Sequence, residues 1–137
     1  MAYAQRTQVP VEQSRNEIER ILAKYGARSF AYFVEPARAI IYFEAKDRRI
    51  RFELPLPQGD TLRDAQARRQ KWRALTLCIK AKLESVEGKI ETFEEAFLAH
   101  VVMPDGQTVA QHTSARIAEA YSNGEMRPLL PAPETRP

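Results

Sequence analysis

The sequence predicts an α+β domain in which a three-stranded antiparallel sheet carries helices on one face. Stretches rich in β-branched and aromatic residues follow one another between residues 29 and 56, and the linkers between them are too short for a crossover helix. Segments with apolar residues at helical spacing lie before and after these stretches. The chain of 137 residues suffices for one domain, which we place at residues 1–127.

The first predicted element is a helix that ends at Gly26. Ser14 and Glu17 have the S-x-x-E spacing of a capping box, although Pro10 also permits a start one turn earlier. The stretch "RTQVPV" before it is predicted as a short edge strand. The apolar residues at helical spacing are Ile18, Ile21, Leu22 and Tyr25.

Three strands of an antiparallel meander are predicted next, at residues 29–34, 39–45 and 48–56. The linkers "EPAR" and "KD" are short enough for hairpins. Pro55 and Pro57 cannot donate to a ladder, so the third strand either ends there or lies at an edge. Its residues alternate between a buried set and a charged set: Ile50, Phe52, Leu54 and Leu56 against Arg49, Arg51 and Glu53.

A long helix is predicted to begin near Thr61 and Asp64, to end at Gly88 and to pack on one face of the sheet. Its apolar stripe consists of Trp72, Leu75, Ile79, Leu83 and Val86, so Trp72 is predicted to belong to the core. A second strip of small and apolar residues lies on its back and predicts contact with either the C-terminal helices or a second subunit. That self-association strip consists of Ala74, Leu77, Cys78 and Ala81.

The remainder of the domain is predicted as small C-terminal helices and a hairpin. Thr92 with Glu95 forms a capping box, and Asp105-Gly106 indicates a tight turn in either a small hairpin or a strand that leads straight into a helix. The final helix is patterned by Ile117, Ala120 and Tyr121 and ends at Gly124. Residues 128–137 contain four prolines and are predicted to form a disordered tail.

Composition excludes several classes of protein. The single cysteine, Cys78, excludes a disulfide framework within the chain and a cysteine zinc cluster. The N-terminal segment has no apolar signal region, and the chain has no apolar run of membrane-spanning length. We therefore expect a soluble protein of the cytoplasm with no membrane partner.

No catalytic pattern is visible. His100 and His112 lack metal-ligand spacing, and the nucleophilic residues lack a recognisable elbow or base. The five glycines are too dispersed for a phosphate-binding loop. The sequence therefore predicts a non-enzymatic protein without a cofactor or a metal.

Positive charge is concentrated on the long helix, although the net charge is only +3. Such a surface can neutralise phosphates and release counterions, which predicts DNA, single- or double-stranded, as a partner. A solvated helix face or a protein-binding surface would have the same composition. The predicted nucleic-acid-binding residues are Arg68, Arg69, Lys71, Arg73, Lys80 and Lys82 on the helix, with Arg49 and Arg51 on the exposed strand face.

Several stretches together resemble a family of small, uncharacterised proteins encoded by bacteriophages and prophages. The resemblance covers most of residues 6–130 and lies in "RTQVPVEQSRNEIERIL", "RFELPLP", "WRALTLCIKAKLESVE", "TFEEAFLAH" and "PDGQTV". It transfers no active residues. It implies a phage genome and the cytoplasm of a host cell, where such proteins commonly serve DNA replication and recombination or disarm host defences.

Two functions are therefore expected. The first is a nucleic-acid-binding accessory protein of phage replication or recombination that assists single-strand binding or annealing. The alternative is a non-enzymatic inhibitor that binds a host defence or regulatory protein. Its binding surface would be either the strip on the back of the long helix or the acidic run between Glu84 and Glu95, which resembles a nucleic acid in charge.

Overall fold

A computed structural model describes residues 7–132 and confirms the predicted α+β architecture. Helix α1 (Val11–Lys24) precedes the strands β1 (Ser29–Val34), β2 (Arg38–Ala45) and β3 (Arg48–Pro55). Helix α2 (Leu62–Glu87) follows, and then come α3 (Phe93–Phe97), a 3-10 turn (Leu98–His100) and α4 (Val109–Asn123).

Two predictions concern the ends of the described range. The stretch "RTQVPV" begins at Arg6, which lies outside the described residues, and residues 7–10 form no strand. Residues 125–132 form neither helix nor strand, and residues 133–137 of the predicted tail lie outside the description.

The sheet is an antiparallel meander in the order β1-β2-β3. Ser29 lies opposite Glu44 in the first pair, and Arg38 lies opposite Pro55 in the second. Lys46 and Asp47 connect β2 to β3 with φ angles of 52° and 60°. Positive φ at both positions gives the two-residue turn whose twist matches that of the strands, so the "KD" linker forms a tight hairpin as predicted.

The core lies between one face of the sheet and the first two helices. Ile41 and Phe43 of β2 are buried on that face, and β3 buries Ile50, Phe52 and Leu54, the predicted set. Helix α1 contributes Ile18 and Leu22. The predicted stripe of α2 is confirmed: Trp72, Leu75, Ile79 and Leu83 are buried, and Val86 packs against them.

The predicted capping box of α1 is wrong. The helix begins at Val11, and Pro10 is its N-cap residue, with a φ of −60° and an extended ψ of 149°. Ser14 therefore lies inside the helix, where it is fully buried, and Glu17 reaches across to α2. The boxes at Thr61 with Asp64 and at Thr92 with Glu95 both form, with reciprocal hydrogen bonds between side chain and backbone.

The segment after α3 forms a shortened version of the predicted small hairpin. Val102 bridges to Thr108, and Met103 N–H donates to the Gln107 carbonyl across a turn in which Gly106 has a φ of +88°. Thr108 then caps α4 directly. Tyr121 of α4 is 90% exposed, so the apolar spacing predicts this helix correctly without the ring being buried.

Among residues 7–132, no helix combines the length and the apolar character needed to cross a bilayer.

Candidate nucleic-acid interface

Two of the predicted cations of α2, Arg73 and Lys82, lie on opposite flanks of the helix and contact different neighbouring helices. On one flank, Arg73 Nη1 lies 2.5 Å from a carboxylate oxygen of Glu17 on α1, and the Arg73 side chain is only 21% exposed. On the other flank, Lys82 Nζ donates to the Ala96 carbonyl of α3 at 2.9 Å. Trp72 lies buried between the flanks. These cations therefore fix the packing of neighbouring helices.

The two arginines near the start of α2 also make local contacts. Arg68 donates to the carbonyls of Pro57 and Gly59, which closes the loop before the helix. Arg69 donates to the side chain of Gln66, one turn earlier. Because these acceptors are neutral, they hold the guanidinium groups in place without cancelling their charge.

Lys71 and Lys80 are exposed and have neither an ion pair nor a hydrogen bond with another of the described residues. They are nine residues apart, which on an α-helix places them about half a turn from each other. They therefore point to opposite sides and do not form one surface. The structure does not bring the six α2 cations together.

The predicted self-association strip on the back of α2 is uncovered. Ala74, Cys78 and Ala81 are exposed, and Leu77 is half-buried. The C-terminal helices pack elsewhere, since α3 lies beside Lys82 and α4 packs near the 3-10 turn. Of the two contacts expected for this strip, the one with the C-terminal helices is absent within residues 7–132, and the one with a second subunit stays a prediction.

Arg49 and Arg51 lie on the face of the sheet opposite α1 and α2, the open face. Arg51 donates to the Gly106 carbonyl at 2.8 Å and to the Gln111 side chain at 2.6 Å, and its guanidinium carbon lies 6.0 Å from the centre of the Tyr42 ring. Arg49 is 60% exposed, with Glu44 at 3.5 Å. Arg51 is thus fixed beside an aromatic ring, whereas Arg49 extends into solvent.

The open face also carries two aromatic rings that the sequence analysis missed. Phe33 and Tyr42 meet edge to face, with ring centres 6.2 Å apart, and Phe33 is 57% exposed. Tyr42 lies opposite Arg51 in the ladder, so rings and arginine share one face. The alternation of β2 contains this signal, because Ile40 and Tyr42 alternate with the buried Ile41 and Phe43.

A groove connects these rings with more positive charge. A hollow of about 410 Å³ beside Phe33 and Tyr42 shares Glu44 and Arg49 with a cleft of about 460 Å³ at the end of the hairpin. Arg28 and Arg48 also line that cleft, on the side of the turn that contains Gly106. Aromatic rings therefore lead into a cluster of three arginines, partly balanced by Glu44 and Asp47 and by Glu94, which pairs with Arg48.

The two histidines occupy separate local environments. His100 stacks on Phe52 with ring centres 3.9 Å apart, and burial, aided by the charge of Lys82, lowers its pKa. His112 Nε2 lies 2.7 Å from a carboxylate oxygen of Asp105. Nowhere in residues 7–132 do three or more His, Cys, Asp or Glu side chains come together in an arrangement that fits a metal ion.

The acidic run between Glu84 and Glu95 is largely engaged in internal contacts. Glu87 accepts a hydrogen bond from the Tyr25 hydroxyl, and Glu94 pairs with Arg48 at 2.9 Å. Glu91 accepts from Ser85, and Glu95 caps α3. The run therefore does not present a continuous row of free carboxylates.

Comparison of the chain with models of protein families, with curated proteins and with solved structures found no match.

Proposed function

We propose that this protein binds single-stranded nucleic acid on the open face of its sheet. The observation that carries the proposal is the exposed Phe33 with the half-buried Tyr42, next to Arg49 and Arg51. Bases stack on aromatic rings, and neighbouring arginines neutralise the phosphates that connect those bases. With the resemblance to phage proteins, this supports a non-enzymatic accessory role in DNA replication or recombination in the host cytoplasm.

The geometry favours a single strand over a duplex. Phe33 and Tyr42 belong to a sheet face, so they can stack only on bases whose flat faces are unstacked and accessible. In a duplex those faces are stacked inside the helix. The groove from these rings to the arginine cluster gives one strand a path on which rings are followed by cations.

Fluorescence anisotropy with a labelled oligothymidine and a duplex of equal length tests the proposal directly. We expect tighter binding of the single strand, and we expect the logarithm of the affinity to decrease linearly with the logarithm of salt concentration. Absence of single-strand binding at the lowest salt concentration would overturn the proposal. Equal affinity for both probes would contradict the role of the rings.

Two substitutions separate stacking from charge. Phe33→Ala is expected to weaken single-strand binding about 5- to 150-fold, because one stacked base contributes ~1–3 kcal/mol. Arg49→Gln is expected to reduce the salt slope by about 0.7, the contribution of one phosphate contact on a single strand. Both side chains are more than half exposed, so the fold should be retained.

Lys80→Gln is the matched control, because it removes one exposed charge from the opposite side of the molecule. The salt slope should stay close to that of the wild type. If Lys80→Gln lowers the slope as much as Arg49→Gln does, and Phe33→Ala binds normally, the interface lies on α2 and the proposal for the sheet is wrong.

A specific observation favours the alternative, an inhibitor that binds a host protein: the strip on the back of α2 is exposed. If the oligonucleotides do not bind, this hypothesis predicts that the wild type captures a host protein from lysate. The Ala81→Glu variant should no longer capture it. Capture that Ala81→Glu leaves unchanged would contradict a role for the strip.

A further inference from the structure

The outer edge of β1 has no strand beside it in the described part of the chain. The Glu35 N–H donates to the Arg38 carbonyl at 2.8 Å, which sets the phase of the β1–β2 ladder. Because hydrogen-bonded pairs recur at every second residue, the backbone groups of Ala31 and Phe33 point toward β2. Those of Phe30, Tyr32 and Val34 therefore point outward.

This edge lacks the features that normally protect one. Natural edge strands carry charges or prolines, or are covered by another segment. The six residues of β1, "SFAYFV", include neither a charge nor a proline. Tyr32 is 43% exposed, and Phe33 and Val34 are each 57% exposed. An apolar edge with three outward-pointing residues is suited to receiving another strand.

A second copy of the chain has two sheet edges with which β1 could pair, its β1 edge and its β3 edge, and the two differ in free backbone groups. The Val102 N–H donates to the outward carbonyl of Arg49 at 2.8 Å, and Val101 bridges to Ile50. Pro55 at the end of β3 has no N–H to donate. The β3 edge is therefore occupied at Arg49 and Ile50 and lacks a donor at Pro55, so it offers β1 of another copy fewer free backbone groups than a second β1 edge does. This disfavours head-to-tail growth and favours pairing of β1 with β1.

We propose that two copies of this chain pair antiparallel through β1, with Tyr32 opposite Tyr32 on a two-fold axis. This is the register that uses all three outward residues, because it also places Phe30 opposite Val34 on each side of the axis. Arg28 flanks one end of the strand and Glu35 the other. Antiparallel pairing thus places opposite charges at each end of the seam, whereas parallel pairing would place like charges together.

The resulting sheet has six strands, and both of its outer edges are β3 edges that are occupied at Arg49 and Ile50. An isologous contact of this kind closes on itself, so the product is a dimer and not a filament. This inference does not depend on nucleic-acid binding. It also places self-association on β1, away from the strip on the back of α2.

Sedimentation velocity over about a hundredfold range of protein concentration, with a reductant present because Cys78 is exposed, tests the proposal. The wild type is expected to shift from monomer to dimer as concentration rises. Val34→Pro removes one outward N–H at a position where an edge strand tolerates proline, and it is expected to stay monomeric with an unchanged circular dichroism spectrum. Val34→Thr keeps both the N–H and the branched shape and should still form the dimer.

Ala81→Glu controls for the rival surface and should leave the dimer intact. A wild type that stays monomeric throughout would overturn the proposal. So would a dimer that survives Val34→Pro or that Ala81→Glu dissociates.

Hydrogen exchange of the wild type gives a second readout if Val34→Pro does not fold. The amides of Phe30, Tyr32 and Val34 should become protected as protein concentration rises. Those of Ala31 and Phe33 should be protected at every concentration, because they bond to β2. Rapid exchange of the three outward amides at all concentrations would overturn the proposal.

Discussion

The two edge strands of the sheet differ in composition and in surroundings: β1 has three aromatic residues and no charge, whereas β3 has one aromatic residue and four charged ones. At β3, Phe97 is fully buried against Phe43 and Phe52, and the chain then continues as the segment that bridges to Ile50 and Arg49. At β1, Phe33 and Tyr32 stay substantially exposed, and no described segment lies alongside. Aromatic content alone therefore does not determine whether a strand is buried. The return path of the chain does.

That return path has an identifiable cause. The box at Thr92 and Glu95 starts a new helix immediately after α2, and Lys82 donates to the last turn of that helix. Phe97 is thereby placed over the β2–β3 side of the sheet. Both proposals made for this protein use what is left open on the other side: the open face at Phe33 and Tyr42, and the outer edge of β1.

The largest expected difference between the two edges is in stability. Phe97→Ala should lower the free energy of unfolding by ~3–5 kcal/mol, because it leaves a cavity among buried rings. Phe33→Ala, the same substitution on β1, should cost less than about 1 kcal/mol in the monomer at low concentration, because that ring is already 57% exposed. Urea denaturation of both variants measures the difference. Equal losses would show that β1 is as firmly packed as β3.

A second difference is the dependence of stability on pH, since His100 lies on the covered edge. Burial lowers its pKa in the folded state below the ordinary 6.5, with Lys82 adding to the effect. Above pH 6.5 the ring is neutral in both states and makes no contribution. As the pH falls below 6.5 the unfolded chain binds the proton first, so stability decreases toward the lowered folded pKa.

Thermal unfolding between about pH 7.5 and about pH 5 measures this effect. His100→Gln removes the titration, so its melting temperature should decrease less than that of the wild type across this window. A further loss near pH 4 should remain in both proteins, because hydrogen bonds from Thr61 and Thr92 lower the pKa values of Asp64 and Glu95. Identical pH profiles above about pH 5 would contradict the role of His100.

The turn of the β2–β3 hairpin provides a smaller test. Lys46 and Asp47 both have positive φ, a conformation that glycine and asparagine adopt more easily. Replacing Lys46-Asp47 by Asn-Gly should therefore stabilise the β2–β3 hairpin by about 0.5–2 kcal/mol. The midpoint of urea unfolding should rise while the slope stays unchanged. A fall in the midpoint would show that one of these side chains has a contact that outweighs the turn.

The smallest expected effect concerns the attachment of β1 to the helices. The Arg15 guanidinium lies 4.7 Å from the ring centre of Tyr32 and 5.4 Å from that of Trp72. Arg15→Gln should cost about 0.5–1 kcal/mol through loss of the cation–π contacts. Arg20→Gln, on the exposed side of α1, is the control and should be neutral. A loss equal to that of Phe97→Ala would mean that Arg15 is central to the fold.

Local sequence patterns specify the element order, most of the boundaries and the faces that β3 and α2 turn to the core. These features depend on neighbouring residues: period-two alternation in β3, helical spacing around Trp72, and capping boxes closed over three residues. The error at the cap of α1 arose because Pro10 and Ser14 offered two starts and only packing against α2 selects between them.

Which cations share a surface and which strand edge stays open depends on tertiary contacts. Arg73 meets Glu17 across 56 residues, and Arg51 reaches Gln111 across 60. The pairing of Phe33 with Tyr42 depends on the register of two strands. Contacts between residues so distant in sequence follow from how the elements pack and where the chain returns. No local period in the sequence encodes that choice.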